Sequence, residues 1–154
     1  MGAFGGRRAI MEHLAPLGPV YQAGTLSGNP IAMAAGVAVI EKLSRPNTYE
    51  LLEARGKRLA EGLKAAADAA GIPAFGTQVG SMTCLYFTEG PVKDWDSASK
   101  ADTDFYARYF RAMLDRGFWL APSQFEACFA SLATTEADID AFVAAAGEVL
   151  SELA

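Results

Sequence analysis

Val20-Tyr21-Gln22-Ala23-Gly24-Thr25-Leu26-Ser27-Gly28-Asn29-Pro30 constrains this chain more than any other stretch. Gly24, Ser27 and Gly28 are turn-formers, and they run straight into Asn29-Pro30. Asn is a preferred helix N-cap. Pro is tolerated at the first helical position, where its missing N–H would be unsatisfied anyway. The spacing therefore predicts a tight loop feeding a helix from Asn29 to about Leu43, stopped before Pro46. Free backbone N–H groups and a helix N-terminus make such a place ready to meet an anion. The alternative is a loop and a cap with no ligand. From Ile31 to Ile40 the helix is rich in Ala and Gly (Ala32, Ala34, Ala35, Gly36, Ala38) and otherwise apolar. It should bury against something large, and self-association through it is expected because apolar patches of this size rarely stay exposed.

The pattern changes at Ser44-Arg45-Pro46-Asn47. Upstream, Gly2 to Gly6 reads as the end of a strand or loop, and Arg7 to Leu14 as a short helix stopped near Pro16. Downstream, Asn47 with Glu50 suggests a capping box. Leu52, Leu59, Leu63, Ala66 and Ala70 keep helical spacing up to Gly71, and Glu53–Lys57 is an i,i+4 pair on the wet face. Ser81 to Thr88 reads as a strand and Glu89 to Lys100 as a polar loop. Asp102 or Asp104 opens a helix with Phe105, Tyr109 and Met113 inward, ending at Gly117. Phe118–Ala121 and Phe125–Leu132 read as two further strands. Thr135 with Asp138 opens a terminal helix striped by Ile139, Phe142, Val143, Ala146, Leu150 and Leu153. The expected fold class is α/β. Residues 47–154 form an α+β domain with a three-stranded sheet covered by helices. Residues 1–46 read as the remnant of a larger domain.

With 154 residues and 51% hydrophobic content, the chain can bury a sizeable core. A net charge of −5 argues against nucleic acid or anionic lipid as a partner. No segment reaches the ~18 apolar residues of a membrane span. Cys84 and Cys128 sit in apolar runs, which favours buried free thiols over a disulfide, and no metal-ligand spacing exists. A cytoplasmic setting fits.

The string VYQAGTLSGNP, with AFGGRR upstream and QVGSM and APSQFEA downstream, resembles the class III aminotransferases. Within them it is most similar to the aminomutases acting on glutamate 1-semialdehyde. The resemblance runs along essentially the whole chain and is most specific at Tyr21–Pro30 and Ser123–Ala127. It implies the C-terminal small domain of a fold-type I transferase dependent on pyridoxal 5'-phosphate (PLP). It also implies a homodimer and a small-molecule substrate, with glutamate 1-semialdehyde converted to 5-aminolevulinate for tetrapyrrole synthesis. Two alternatives stand beside that reading: another class III aminotransferase, and a non-catalytic dimerising fragment.

PLP enzymes need a Schiff-base lysine, a carboxylate for the pyridine nitrogen, phosphate donors and groups that orient the substrate. Lys42, Lys57, Lys64, Lys93 and Lys100 all lie in polar or helix-end settings, unlike a lysine with a depressed pKa. The resemblance places the Schiff-base lysine just upstream of the stretch matching Gly2–Arg7, so the isolated chain is expected to be inactive. It gives Thr25 the phosphate of a neighbouring subunit's PLP, and it places Gly24 and Tyr21 at that interface. Thr25 suits the role, since its hydroxyl and N–H can both donate; otherwise it is a turn hydroxyl bonding its own backbone.

Glu126, flanked by apolar residues at a strand start, must find a partner or face a cavity. Many class III transaminases carry an arginine there to grip a carboxylate. The aminomutase resemblance has glutamate, which disfavours a second carboxylate. The alternative is a rim glutamate pointing at solvent. His13, Arg7 and Arg8 read as surface residues, and Trp95 and Trp119 as packing residues.

Overall fold

The structure, a computed structural model, describes residues 2–154. The chain divides between Pro46 and Asn47 into two compact units.

The first unit holds α1 (Arg8–Met11) and α2 (Pro30–Leu43). The stretch between them closes on itself: Leu14 and Val20 form a parallel bridge, and Val20 N–H donates to His13 O at 2.9 Å. α2 starts and stops where the sequence places it. Asn29 Oδ1 accepts from the N–H groups of Ile31 and Ala32 at 3.1 Å each, with Pro30 at the first position. No residue of α2 is buried, and Ile31 is 80% exposed. The large surface expected against this helix is not supplied by the described residues.

The second unit runs α3 (Thr48–Ala69), β1 (Phe75–Val79), β2 (Met82–Tyr86), α4 (Trp95–Ala98), α5 (Thr103–Asp115), β3 (Cys128–Phe129) and α6 (Glu136–Leu153). The three strands form one antiparallel sheet in the order β1-β2-β3. β1 and β2 pair from Phe75↔Tyr86 to Val79↔Met82, leaving Gly80-Ser81 as a two-residue loop. Gly80 takes φ +57°, the left-handed value that a tight hairpin needs at its first loop position. Leu59, Leu63 and Ala67 from α3, Tyr109 and Met113 from α5, and Ile139, Ala146, Val149 and Leu150 from α6 close the core with Phe87 and Leu120.

Local signals at three helix starts are read correctly. Asp102 Oδ1 accepts from Phe105 N–H at 2.8 Å. Thr135 and Asp138 cap each other in a full capping box. The Asn47–Glu50 box does not form, however. Asn47 sits in the left-handed region at φ 61° and its side chain caps nothing. Lys57 pairs with Glu61 at 3.7 Å instead of Glu53. Inside the expected polar loop, Asp94 and Ser97 form a capping box that starts the short α4.

The sheet is three-stranded as expected, but its strands are assigned differently. β1 lies in a stretch read as connection, because Gly76, Thr77 and Gln78 carry no apolar alternation. Phe118–Ala121 is not a strand. The N–H groups of Gly117 and Phe118 donate back to Leu114 O and Met113 O, which terminates α5 with Gly117 at φ +85°. The expected strand Phe125–Leu132 shrinks to Cys128–Phe129, since a turn closed by Glu126 N–H to Ser123 O (3.2 Å) precedes it. Trp119 and Trp95 are 84% and 65% exposed, so neither is a core packing residue; Trp95 makes an edge contact with Phe125.

Candidate functional site

In the first unit the Tyr21–Pro30 segment is two successive turns. Ser27 N–H donates to Gly24 O at 2.9 Å and Asn29 N–H to Leu26 O at 3.0 Å. Gly28 takes φ +76°, a conformation that favours glycine. The sequence leaves two readings here, a helix N-terminus ready for an anion and a capped loop with no ligand. At the helix start itself the Asn29 carboxamide occupies the Ile31 and Ala32 N–H groups. The donors left over lie one turn earlier. Among the described residues neither the Thr25 hydroxyl nor its N–H has a hydrogen-bond partner. Tyr21, Gly24 and Thr25 are all exposed.

In the second unit Glu126 lies on the Ser123–Glu126 turn, outside the strand expected to carry it. It is exposed, and it stands at the mouth of a small cavity of about 40 Å³ between β2, α5 and the turn. Thr83, Cys84, Tyr106, Gln124 and Cys128 line that cavity beside apolar side chains. The Cys84 thiol donates to Gln124 O at 3.1 Å and ties the turn to β2. Tyr106 donates to Ala121 O at 2.6 Å, anchoring the segment that leads into the turn.

These walls keep their protons. Burial pushes both thiols above their ordinary value, and at Cys128 the neighbouring Cys84 and Glu126 charges add to it. Burial, then the Cys128, Cys84 and Glu126 charges, raises Tyr106 to about 12. Deprotonated thiolate or phenolate here would face a largely apolar wall with no cation in it. Beyond the cavity wall, a hydrogen bond with Cys84, then burial, raises Tyr86 to about 12.

Gln124 is the residue that sequence reasoning passed over. It is 3% exposed, and its Oε1 accepts from Phe87 N–H at 3.4 Å. Ser123-Gln124-Phe125 carries no local signal for it, since only tertiary contacts mark the amide as buried. None of the five lysines is buried. Lys57 and Lys64 are paired with Glu61 and Asp68 on the surface of α3.

A turn with free donors and a small domain carrying a carboxylate at a cavity mouth accord with a PLP-dependent transferase. The chain belongs to the class-III aminotransferase family, whose model matches residues 1–150. It is 56% identical over 140 residues to the glutamate-1-semialdehyde 2,1-aminomutase of Desulforudis audaxviator (strain MP104C), covering 91% of this chain and 32% of that protein. It is 53% identical to the aminomutase of the same name from Heliobacterium modesticaldum (strain ATCC 51547 / Ice1), over 100% of this chain and 35% of the relative. Among solved structures, the β-phenylalanine aminotransferase of Variovorax paradoxus matches with TM-score 0.77 and 32% identity, over 94% of this chain and 33% of that one. A glutamate-1-semialdehyde aminomutase from Pseudomonas aeruginosa PAO1 shares the fold, with TM-score 0.75 and 22% identity over 95% of this chain and 33% of that one. The chain thus spans about a third of the length of the curated relatives it matches.

Proposed function

We propose that this chain serves a glutamate-1-semialdehyde 2,1-aminomutase, converting glutamate 1-semialdehyde to 5-aminolevulinate for tetrapyrrole synthesis. The observation that carries the reading is the 49–56% identity along nearly the whole chain to relatives bearing that name. Glutamate at position 126, in place of a carboxylate-gripping arginine, favours it over an ordinary class III transaminase. Residues 47–154 are then the small C-terminal domain, and residues 1–46 belong to the large domain.

PLP supplies, when bound, an aldehyde that condenses with amines and a ring that accepts the electrons of a breaking C–H bond. The residues present fit one end of it. Thr25 offers a free hydroxyl and a free N–H in a turn stripped of other partners, which suits phosphate oxygens. Tyr21 and Gly24 stand on the same exposed segment, where a neighbouring subunit would approach. The covalent anchor is not among the five lysines, all of which are solvated or surface-paired. It must come from elsewhere in the assembled enzyme. Glu126 holds negative charge at the edge of the substrate space and disfavours a second carboxylate there. The bare apolar length of α2 supports a homodimer, as does the exposure of Thr25. No described helix is long and apolar enough to cross a membrane; with two free thiols we infer a cytoplasmic setting.

The test is to complement this chain with the other two thirds of a curated relative and compare glutamate 1-semialdehyde with ordinary amine donors. Faster turnover of ordinary donors would sink the reading. In the same assembly Thr25→Val should weaken PLP retention. Borohydride reduction of the isolated chain with PLP should label no single lysine stoichiometrically.

A further inference from the structure

Gln124, on the wall of the cavity behind Glu126, carries an unanswered donor. Gln124 is 3% exposed, and its Nε2 makes no hydrogen bond within the protein. The amide cannot simply be turned over, because Phe87 presents an N–H and needs the Oε1 end. A buried amide left without a partner is rare and calls for an occupant. The cavity that Gln124 lines has about 40 Å³ of free space. At roughly 10–15 Å³ per molecule that is room for about three waters, and too little for an organic ligand. Its wall is largely apolar, yet it includes the buried Thr83, the Tyr106 ring whose hydroxyl already donates to Ala121 O, and Glu126 at the mouth. These groups supply acceptors, which Nε2 alone does not.

We propose that this cavity is an internal hydration site, in which a short chain of ordered waters accepts from Gln124 Nε2 and donates toward the Glu126 carboxylate. The turn is then held on two sides. Cys84 and Phe87 of the β2 segment hold it through direct hydrogen bonds, and water holds it from within. Gln124 is a positioning residue in this arrangement, setting where Glu126 stands. The site depends only on the packing of the second unit and stands whether or not the aminomutase reading does.

The experiment is performed on the isotopically labelled full chain in solution. Water cross-peaks to the Gln124 side-chain amide should carry the sign of long-lived, bound water, and xenon should leave the Leu63 and Leu85 methyl signals unmoved. Absent water cross-peaks overturn the proposal, as does a Gln124 amide bonded directly to Glu126. Xenon shifts at those methyls would mean a dry cavity and overturn it too. Gln124→Met keeps the side-chain length and removes the donor. If that variant folds, the drained cavity should take up xenon and its methyl shifts should exceed those of the parent several-fold; an equal response in both counts against the proposal. The parent measurements decide alone if the variant does not fold.

Discussion

Gly56 of α3 and Gly80 of the β1–β2 loop meet backbone to backbone: a Cβ built at position 56 would stand 2.2 Å from Gly80 O. The helix lies against the tip of the hairpin because Gly56 has no side chain to hold the Gly80 carbonyl away. The contact fixes β2, and with it Thr83 and Cys84, against α3.

Gly56→Ala should therefore destabilise the second unit. Helix propensity alone favours the change by up to about 1 kcal/mol. The collision is with backbone, which cannot rotate away, and overpacking of this kind costs about 1–3 kcal/mol. Gly147→Ala in α6 is the matched control, since its Cβ would meet only Ala66 Cβ at 3.8 Å. The urea midpoint should fall for the first and hold or rise for the second. A raised midpoint for Gly56→Ala would show that the hairpin tip moves freely.

Arg58 and Asp140 join α3 to α6 side-on, with Nε and Nη2 each 2.7 Å from a carboxylate oxygen. The Arg58 hydrogen bond holds Asp140 below the usual carboxylate range; Thr135 does the same for Asp138, and Ser97 for Asp94. A depressed folded pKa contributes stability above the unfolded value of about 4, and it is lost as pH falls through the folded value. Both partners of the Arg58–Asp140 pair are half exposed, so its effect is small and salt-screened. Asp140→Asn should lower the midpoint slightly at neutral pH and low salt, less at high salt, and not at all in strong acid. A difference that persists in strong acid would mean that packing, not charge, is lost.

Cys84, Cys128 and Tyr106 set the alkaline limit. Their folded pKa values are raised, so the unfolded chain ionises first. Stability is full below the unfolded values and declines as pH rises through them toward the folded ones. For Tyr106 that window runs from about 10 in the unfolded chain to about 12. Alkylation by iodoacetamide at mildly alkaline pH should be slower in the native chain than in urea. Equal rates, followed by mass spectrometry, would show that the turn over Cys84 opens readily.

Thr135→Ala removes one half of the capping box at the start of α6. The expected cost is about 1 kcal/mol, within the range of about 0.5–2 for such caps. Chemical denaturation followed by circular dichroism measures it; no change would mean that packing on α3 and α5 holds α6 without its cap.

Local chemistry was legible from the chain. The Asn29-Pro30 start of α2, the Asp102 start of α5 and the Thr135–Asp138 box need only residues two or three apart, and all formed. The same logic failed at Asn47, where the turn into α3 demanded a left-handed residue and drew the side chain away from its cap. Tyr21–Pro30 and Ser123–Ala127 carried the family, which the match over residues 1–150 shows.

By itself the sequence determined helix ends, turn glycines and family membership, because each depends on chemistry within a few neighbouring residues. Tertiary structure alone decided which strands pair, that Glu126 rides a turn, and that Gln124 is buried with one end of its amide unanswered. The reason is range. Thr83 and Cys128 pair across the sheet from distant parts of the chain, as do Phe87 and Gln124 through an amide. No local pattern records a contact whose two halves meet only when the core closes.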